Sequence, residues 1–305
     1  MIEVHDLTKQ FGSFTAVDHI SFHAQVGEIV GILGPNGAGK TTTMRMLTSF
    51  MPPTSGSATI DGYDVLEDSL EVRKRVGYLP EQVPVYPDMT VRSYITFWAE
   101  LRGLRRPKAR VNEVIEQVQL TSRANSLIRN LSKGMRQRLG LAQAIVHNPA
   151  VIILDEPTIG IDPQQVIEVR ETIRQLGQNH TVLFSTHILS EAEQVCDRVL
   201  IINQGRIVAA GPPTGLRQQL QGGQHLYILA TGGTPDSIQL LLESIPGVMS
   251  VYAQGEGFGL RAEDGLDIRT DISQRITRAG YTILEMRPVA MTLEDIFLDI
   301  VGRTD

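Results

Sequence analysis

The segment Gly34-Pro35-Asn36-Gly37-Ala38-Gly39-Lys40-Thr41 limits the fold of this chain more than any other. It follows the five-residue apolar run Ile29–Leu33 and precedes a helical run, so a buried strand must turn through a glycine-rich loop into a helix. Gly34, Gly37 and Gly39 let the backbone aim several N–H groups at one point, and the helix start adds the positive end of its dipole. A phosphate fits such a cradle. Lys40 is then placed to reach the β- and γ-phosphates of a nucleotide and the Thr41 hydroxyl to bind Mg2+, while Thr42 continues the helix start beside the phosphates.

A second apolar run, Val151–Leu154, ends in Asp155-Glu156. It puts two carboxylates at the carboxyl end of a strand, where open α/β sheets bind ligands. Asp155 suits the Mg2+ shell and Glu156 suits orienting and polarising an attacking water. By itself, a strand ending in Asp-Glu is equally a solvated edge or a helix cap; the glycine loop upstream favours the chemical reading. Between the two motifs, Leu131-Ser132-Lys133-Gly134-Met135 opens a helix whose Leu139, Ala142, Ile145 and Val146 fall at core spacing, with Ser132 as its N-cap.

Short β-branched runs alternate with helical patterns, with a further strand at 181–184, which predicts an α/β core with a largely parallel sheet. The strand signal fades between Pro87 and His147, where Val91–Leu101, 111–119 and 133–147 show helical spacing, so a helical subdomain is inserted there. Strands at 199–203 and 206–209 are followed by the breakers Gly211, Pro212, Pro213, Gly222 and Gly223. The expected boundary lies near residue 222, giving domains 1–222 and 223–305. In the second, strand 225–230, helix 235–245, strands 248–253 and 258–262, helix 267–279 and strand 281–287 form a βαββαβ order, a small ferredoxin-like α+β domain. A last helix is expected after Thr292, with Asp295 as the acidic partner of its capping box.

With 42% apolar and 20% charged residues the chain reads as globular, and a net charge of -6 argues against a surface built to bind nucleic acid. The basic cluster around Arg102, Arg105, Arg106, Lys108 and Arg110 reads as a solvated face. Cys196 is the only cysteine, so no intramolecular disulfide forms and a reducing, cytoplasmic setting is expected. No secretory signal is expected at the amino terminus, and the longest apolar runs are far short of a bilayer span.

Taken together, the motifs over roughly Met1 to Gly211 resemble the nucleotide-binding subunits of ABC transporters. Gly34 to Thr41 matches Walker A, Leu131 to Met135 the family signature, Val151 to Glu156 Walker B, Gly160-Ile161-Asp162 the D-loop and Ser185-Thr186-His187 the switch-histidine segment. Phe11 sits where the family stacks an aromatic on adenine. The resemblance implies a P-loop ABC ATPase core that binds ATP and Mg2+. It implies a head-to-tail dimer, expected as a homodimer, in which Ser132 and Gly134 cap the phosphates held by the other subunit's Walker A, and His187 contacts the γ-phosphate. Taken bare, His187 reads as a polar strand end.

Two features depart from the family pattern. Lys133 and Met135 replace the commonest glycine and glutamine of the signature, and Glu81 occupies the glutamine position of the Q-loop, leaving Glu81 and Gln82 both as candidates for its sensing role. By likeness, 77–87 and the helices after it receive a coupling helix from a polytopic membrane permease on a separate chain. The expected subunit is of the exporter branch, including drug-efflux and gliding-motility ATPases, held peripherally at the cytoplasmic face of the membrane. The rival reading is a soluble ABC-type ATPase of translation or DNA maintenance, disfavoured by the single cassette and the lack of a sustained heptad pattern. The carboxy-terminal domain carries no catalytic set and is expected to regulate or support the dimer.

Overall fold

The computed structural model describes residues 1–220, 225–263 and 266–289, in two compact units, Met1–Pro213 and Thr214–Asp305. The first unit opens with the hairpin β1 (Ile2–Phe11) and β2 (Phe14–Ala24), then β3 (Ile29–Leu33), α1 (Lys40–Leu47), β4 (Ser55–Ile60), β5 (Tyr63–Asp64), α2 (Ser69–Arg75) and β6 (Val76–Leu79). The helices α3 (Val91–Leu101), α4 (Lys108–Gln117) and α5 (Lys133–Ile145) follow. The unit closes with β7 (Val151–Leu154), α6 (Pro163–Gly177), β8 (Thr181–Thr186), α7 (Leu189–Val195), β9 (Arg198–Asn203) and β10 (Arg206–Gly211). Helix α8 (Pro213–Leu220) crosses the division between the units, which therefore falls upstream of the breakers at Gly222 and Gly223.

The main sheet has the order β10-β9-β3-β8-β7-β6, parallel from β9 to β6 with β10 antiparallel at one edge. Every residue of β3, β7 and β8 is buried, as expected for parallel strands covered on both faces. Strand β3 has β9 on one side and β8 on the other, with α1 following it, so the carboxyl ends of β3, β8 and β7 lie side by side. That edge carries the glycine loop, His187 and Asp155-Glu156, the position where doubly wound sheets bind ligands.

The periodic reading expected one sheet in this unit. A second, antiparallel sheet is present, ordered β2-β1-β4-β5. Register shifts in β1 between Val4 and Leu7, Leu7 and Lys9, and Lys9 and Gln10 break the two-residue alternation that would have announced it. Ile2, Val4 and Leu7 from this sheet share one core with Val30 and Ile32 of β3 and Met44, Met46 and Leu47 of α1, all nearly inaccessible. The glycine loop is thus anchored from beneath by both sheets.

Helices α3, α4 and α5 form the expected insertion. α3 spans the expected residues and is capped by Thr90, which accepts from the Ser93 N–H; α5 stops at Ile145, short of the expected His147. The second unit contains β11 (His225–Thr231), α9 (Pro235–Glu243), β12 (Val248–Gln254), β13 (Gly257–Ala262), α10 (Arg269–Arg278) and β14 (Thr282–Pro288). Its antiparallel sheet runs β12-β13-β11-β14, the ferredoxin-like arrangement expected from the βαββαβ order. Leu226, Ile228 and Leu260 of the sheet pack with Ile238, Leu242, Ile272 and Ile276 of the two helices. The helix expected after Thr292 lies outside the described residues.

Candidate active site

Beyond Leu33 the loop has little room. A Cβ at Gly34 would collide with the Ile202 carbonyl oxygen of β9, and one at Gly39, where φ is +105°, with the Ala16 carbonyl oxygen of β2. Both sheets therefore press on the turn, and only glycine permits the approach. Helix α1 starts at Lys40, whose side chain is 5% exposed and whose Nζ lies 3.2 Å from Glu156 Oε1. The ammonium also donates to the carbonyl oxygens of Gly34 at 2.8 Å and Pro35 at 3.1 Å. The cation is held at the loop by fixed oxygens.

Asp155 and Glu156 leave β7 towards different partners. Asp155 Oδ1 accepts from Thr41 Oγ1 at 3.1 Å and Ser185 Oγ at 2.8 Å, while its Oδ2 is buried with no hydrogen-bond partner. Burial pushes the Asp155 carboxyl above its ordinary pKa, against the lowering effect of the Ser185 and Thr41 hydroxyls. Glu156 has a φ of +49°, a left-handed conformation that costs a non-glycine residue about 1 kcal/mol. Its N–H donates to Ser185 Oγ at 2.9 Å, and its Oε2 lies 2.8 Å from His187 Nδ1. Strain of this kind concentrates at functional sites. A hard divalent cation matches this chemistry: Asp155 offers a buried, unused oxygen beside the Thr41 hydroxyl, both oxygen donors of the type Mg2+ prefers.

A cleft of about 440 Å3 opens above the loop, lined by Asn36, Gly37, Gly39, Lys40, Thr41, Thr42, Glu81 and Glu156. Phe11 and Phe14, opposite each other across the β1–β2 hairpin, contribute its aromatic wall and are 49% and 61% exposed. Asp155 joins this constellation through Thr41, and His187 joins it through Glu156. Of the two candidate sensing residues, only Glu81 lines this cleft; Gln82 lines a separate cavity of about 300 Å3, which Glu81 also borders.

Residues 17–159 match the sequence model of the family described as ABC transporter. Over 309 residues the chain is 34% identical to the linearmycin resistance ATP-binding protein LnrL of Bacillus subtilis (strain 168), covering 100% of this chain and 99% of the relative. It is 37% identical to the Nod factor export ATP-binding protein I of Burkholderia thailandensis, covering 99% of this chain and 97% of the relative. The chain belongs to the ABC transporter ATP-binding subunits. Among solved structures, one described as the ATP binding subunit of an ABC transporter is 30% identical, with a TM-score of 0.66 over 72% of this chain and 92% of that one. The cassette MJ0796, solved as a dimer in a post-hydrolysis state with ADP and Pi, shares the fold at 23% identity, with a TM-score of 0.64 over 70% of this chain and 99% of that one. This is an ABC ATPase subunit homologous to exporter ATPases, and it binds ATP.

The ABC subunit's other motif residues lie apart from the cleft. Ser132 caps α5 by accepting from the Met135 N–H at 3.2 Å, and Asp162 caps α6 by accepting from the Gln165 N–H at 3.1 Å. A Cβ at Gly134 would strike the Gln165 side chain, so the signature helix and the helix after the D-loop meet there. None of Ser132, Gly134 and Asp162 lines the cleft. Sequence reasoning gave no separate role to Ser185 or Phe14, although Ser185 bridges Asp155 to the Glu156 N–H; its place in the segment Ser185-Thr186-His187 was the available signal. Among the described residues no helix is long and apolar enough to cross a membrane.

Proposed function

We propose that this subunit hydrolyses Mg-ATP at a site completed by a second copy of the chain, and that closure of the two copies drives a separate polytopic permease in an exporter. The observation that carries the reading is the convergence of Lys40, Thr41, Asp155, Glu156 and His187 at one end of the parallel sheet, while Ser132 and Gly134 lie outside the cleft. One chain lines only half of an ATP site. A two-fold homodimer supplies the other half to each cleft.

In this reading the glycine-loop N–H groups and Lys40 hold the phosphates, and Phe11 stacks on adenine. Thr41 and Asp155 would hold Mg2+, which would supply neutralisation of phosphate charge. Glu156 orients the attacking water and accepts its proton, His187 steadies Glu156 through Nδ1 and faces the γ-phosphate, and Ser132 and Gly134 of the second copy close over it. Asp162 belongs to the dimer contact. Glu81 takes the Q-loop role, supported by its place on the cleft wall. Residues 223–305 act as a second domain that regulates or supports the dimer.

Export is favoured by relatives of nearly full length whose names concern linearmycin resistance, Nod factor export and bacitracin transport. The subunit then works at the cytoplasmic face of the membrane, held by its permease. Affinity purification of the tagged chain from mildly solubilised native membranes tests this. A polytopic membrane protein enriched over an untagged control is expected; recovery of soluble partners alone, under conditions that preserve known membrane complexes, overturns the transporter role and leaves the ATPase chemistry standing.

A further inference from the structure

Behind the cleft lies a carboxylate that the proposed hydrolysis does not use. Glu191, in α7, is 1% exposed, yet its neighbours are polar. Its Oε2 accepts from Thr158 Oγ1 at 2.7 Å and from Thr186 Oγ1 at 2.9 Å. Its Oε1 lies 3.3 Å from Arg170 Nη2 of α6, and Arg170 Nη1 donates to Gln194 Oε1 at 3.0 Å. Thr186 Oγ1 also accepts from the Ile188 N–H at 3.0 Å. Burying a charge is costly unless it is paired and hydrogen-bonded, and an apolar residue would fill the same space without that cost.

The donors come from two separate segments, Thr158 from the turn after β7 and Thr186 from the last position of β8. Thr158 lies two residues after Glu156, and Thr186 immediately precedes His187. A single carboxylate oxygen therefore ties together the backbone segments that carry the two partners of the 2.8 Å Glu156–His187 contact. Glu156 sits at a φ of +49°, a conformation that persists only when surrounding contacts enforce it. The His187 side chain is 39% exposed, and Glu156 Oε2 lies 2.8 Å from its Nδ1.

We infer that Glu191 is a positioning residue that holds Glu156 and His187 in register for hydrolysis by binding the Thr158 and Thr186 hydroxyls. The inference rests on the reading of Glu156 as the group that orients water. Arg170 balances the buried charge and links the latch to α6, the helix that Asp162 caps.

The test uses the purified full-length chain, with steady-state ATP hydrolysis and equilibrium nucleotide binding measured side by side. Thr158→Val and Thr186→Val remove the hydroxyls while keeping the shape, and Thr158→Ser and Thr186→Ser keep the hydroxyls. Each Val variant is expected to lose roughly ten- to a hundredfold in kcat with nucleotide affinity within about twofold of wild type, because small misplacements of reacting groups act on the chemical step. The Ser variants are expected to turn over near the wild-type rate. Wild-type kcat in both Val variants, equal loss in Val and Ser variants, or a loss of affinity in parallel with kcat would each overturn the latch. Glu191→Ala, if it folds, is expected to match the Val pair. Glu156→Gln run alongside keeps the two ideas separate: wild-type turnover there removes the water-orienting role itself, whatever the threonine variants do.

Discussion

The two halves of the proposed ATP site are built in opposite ways. In the Walker half, charged groups are buried and one is incompletely satisfied: Lys40 is 5% exposed, Asp155 Oδ2 has no partner, and the Glu156 backbone is in a left-handed conformation. In the signature half, Ser132 and Asp162 are at rest, each completing the cap of its own helix. Strain and an unpartnered oxygen thus fall in the half to which the proposed function assigns the chemistry. In the proposed dimer the resting caps belong to the half that would be presented to the second copy, so that each chain would carry a poised site and the lid for the other.

The predictions aim at that contrast, beginning with the largest effect. Lys40→Ala should reduce ATP turnover by at least about a hundredfold and weaken nucleotide binding as well, because it removes the buried cation aimed at the phosphates; hydrolysis and equilibrium binding assays read both. Glu156→Gln should lower turnover roughly a hundred- to a thousandfold while nucleotide still binds, and the chain should accumulate as an ATP-bound dimer on size exclusion. Wild-type turnover in that variant would end its assigned role.

A mixing experiment sharpens the comparison further. Ser132→Asp preserves an N-cap, since aspartate caps as well as serine, but opposes a phosphate placed over it. Alone, both this variant and Lys40→Ala should be inactive. Mixed, they should recover about a quarter of wild-type activity, because half of the random dimers are heterodimers with one of two sites intact. No recovery, with mixed dimers shown to form, would place both halves on one chain.

The smaller effects concern affinity and stability. Phe11→Ala should weaken ATP binding by about 1 kcal/mol without changing kcat, as expected for loss of one aromatic stack. Asp155→Asn tests the cost of the poised half. Burial raises the Asp155 pKa, so the nucleotide-free folded state holds that proton more tightly than the unfolded chain. Its contribution to stability is most favourable at low pH and is lost as pH rises through the raised pKa. At neutral pH, Asp155→Asn should therefore stabilise the nucleotide-free chain by about 1 kcal/mol in a denaturant titration. The gain should vanish below the ordinary carboxylate range.

Much of this was legible in the sequence because the informative residues are contiguous. The run from Ile29 to Thr41 contains strand, turn and helix start in one stretch, and Val151 to Glu156 contains a buried strand and its terminal acids. The βαββαβ order after residue 225 was likewise readable from local periodicity, and the sheet β12-β13-β11-β14 follows from it. The antiparallel sheet β2-β1-β4-β5 was not readable, since the shifts in β1 erase its alternation.

The sequence by itself determined which groups are available to the proposed site: the glycine loop, Lys40, the Asp155-Glu156 pair, Ser132 as a cap and His187 after a strand. These are set by short-range pattern and steric need, which survive reading one residue at a time. The tertiary structure decided how the groups are held. It placed Glu81 rather than Gln82 on the cleft wall, put Ser185 between Asp155 and Glu156, and buried Glu191 under two threonines. Most of those contacts join polar residues about thirty positions apart, such as Thr158 and Glu191 at a separation of 33, and in the sequence they look like ordinary surface residues. Only closure of the parallel sheet, with β7 and β8 side by side, removes them from water and gives their hydrogen bonds a direction.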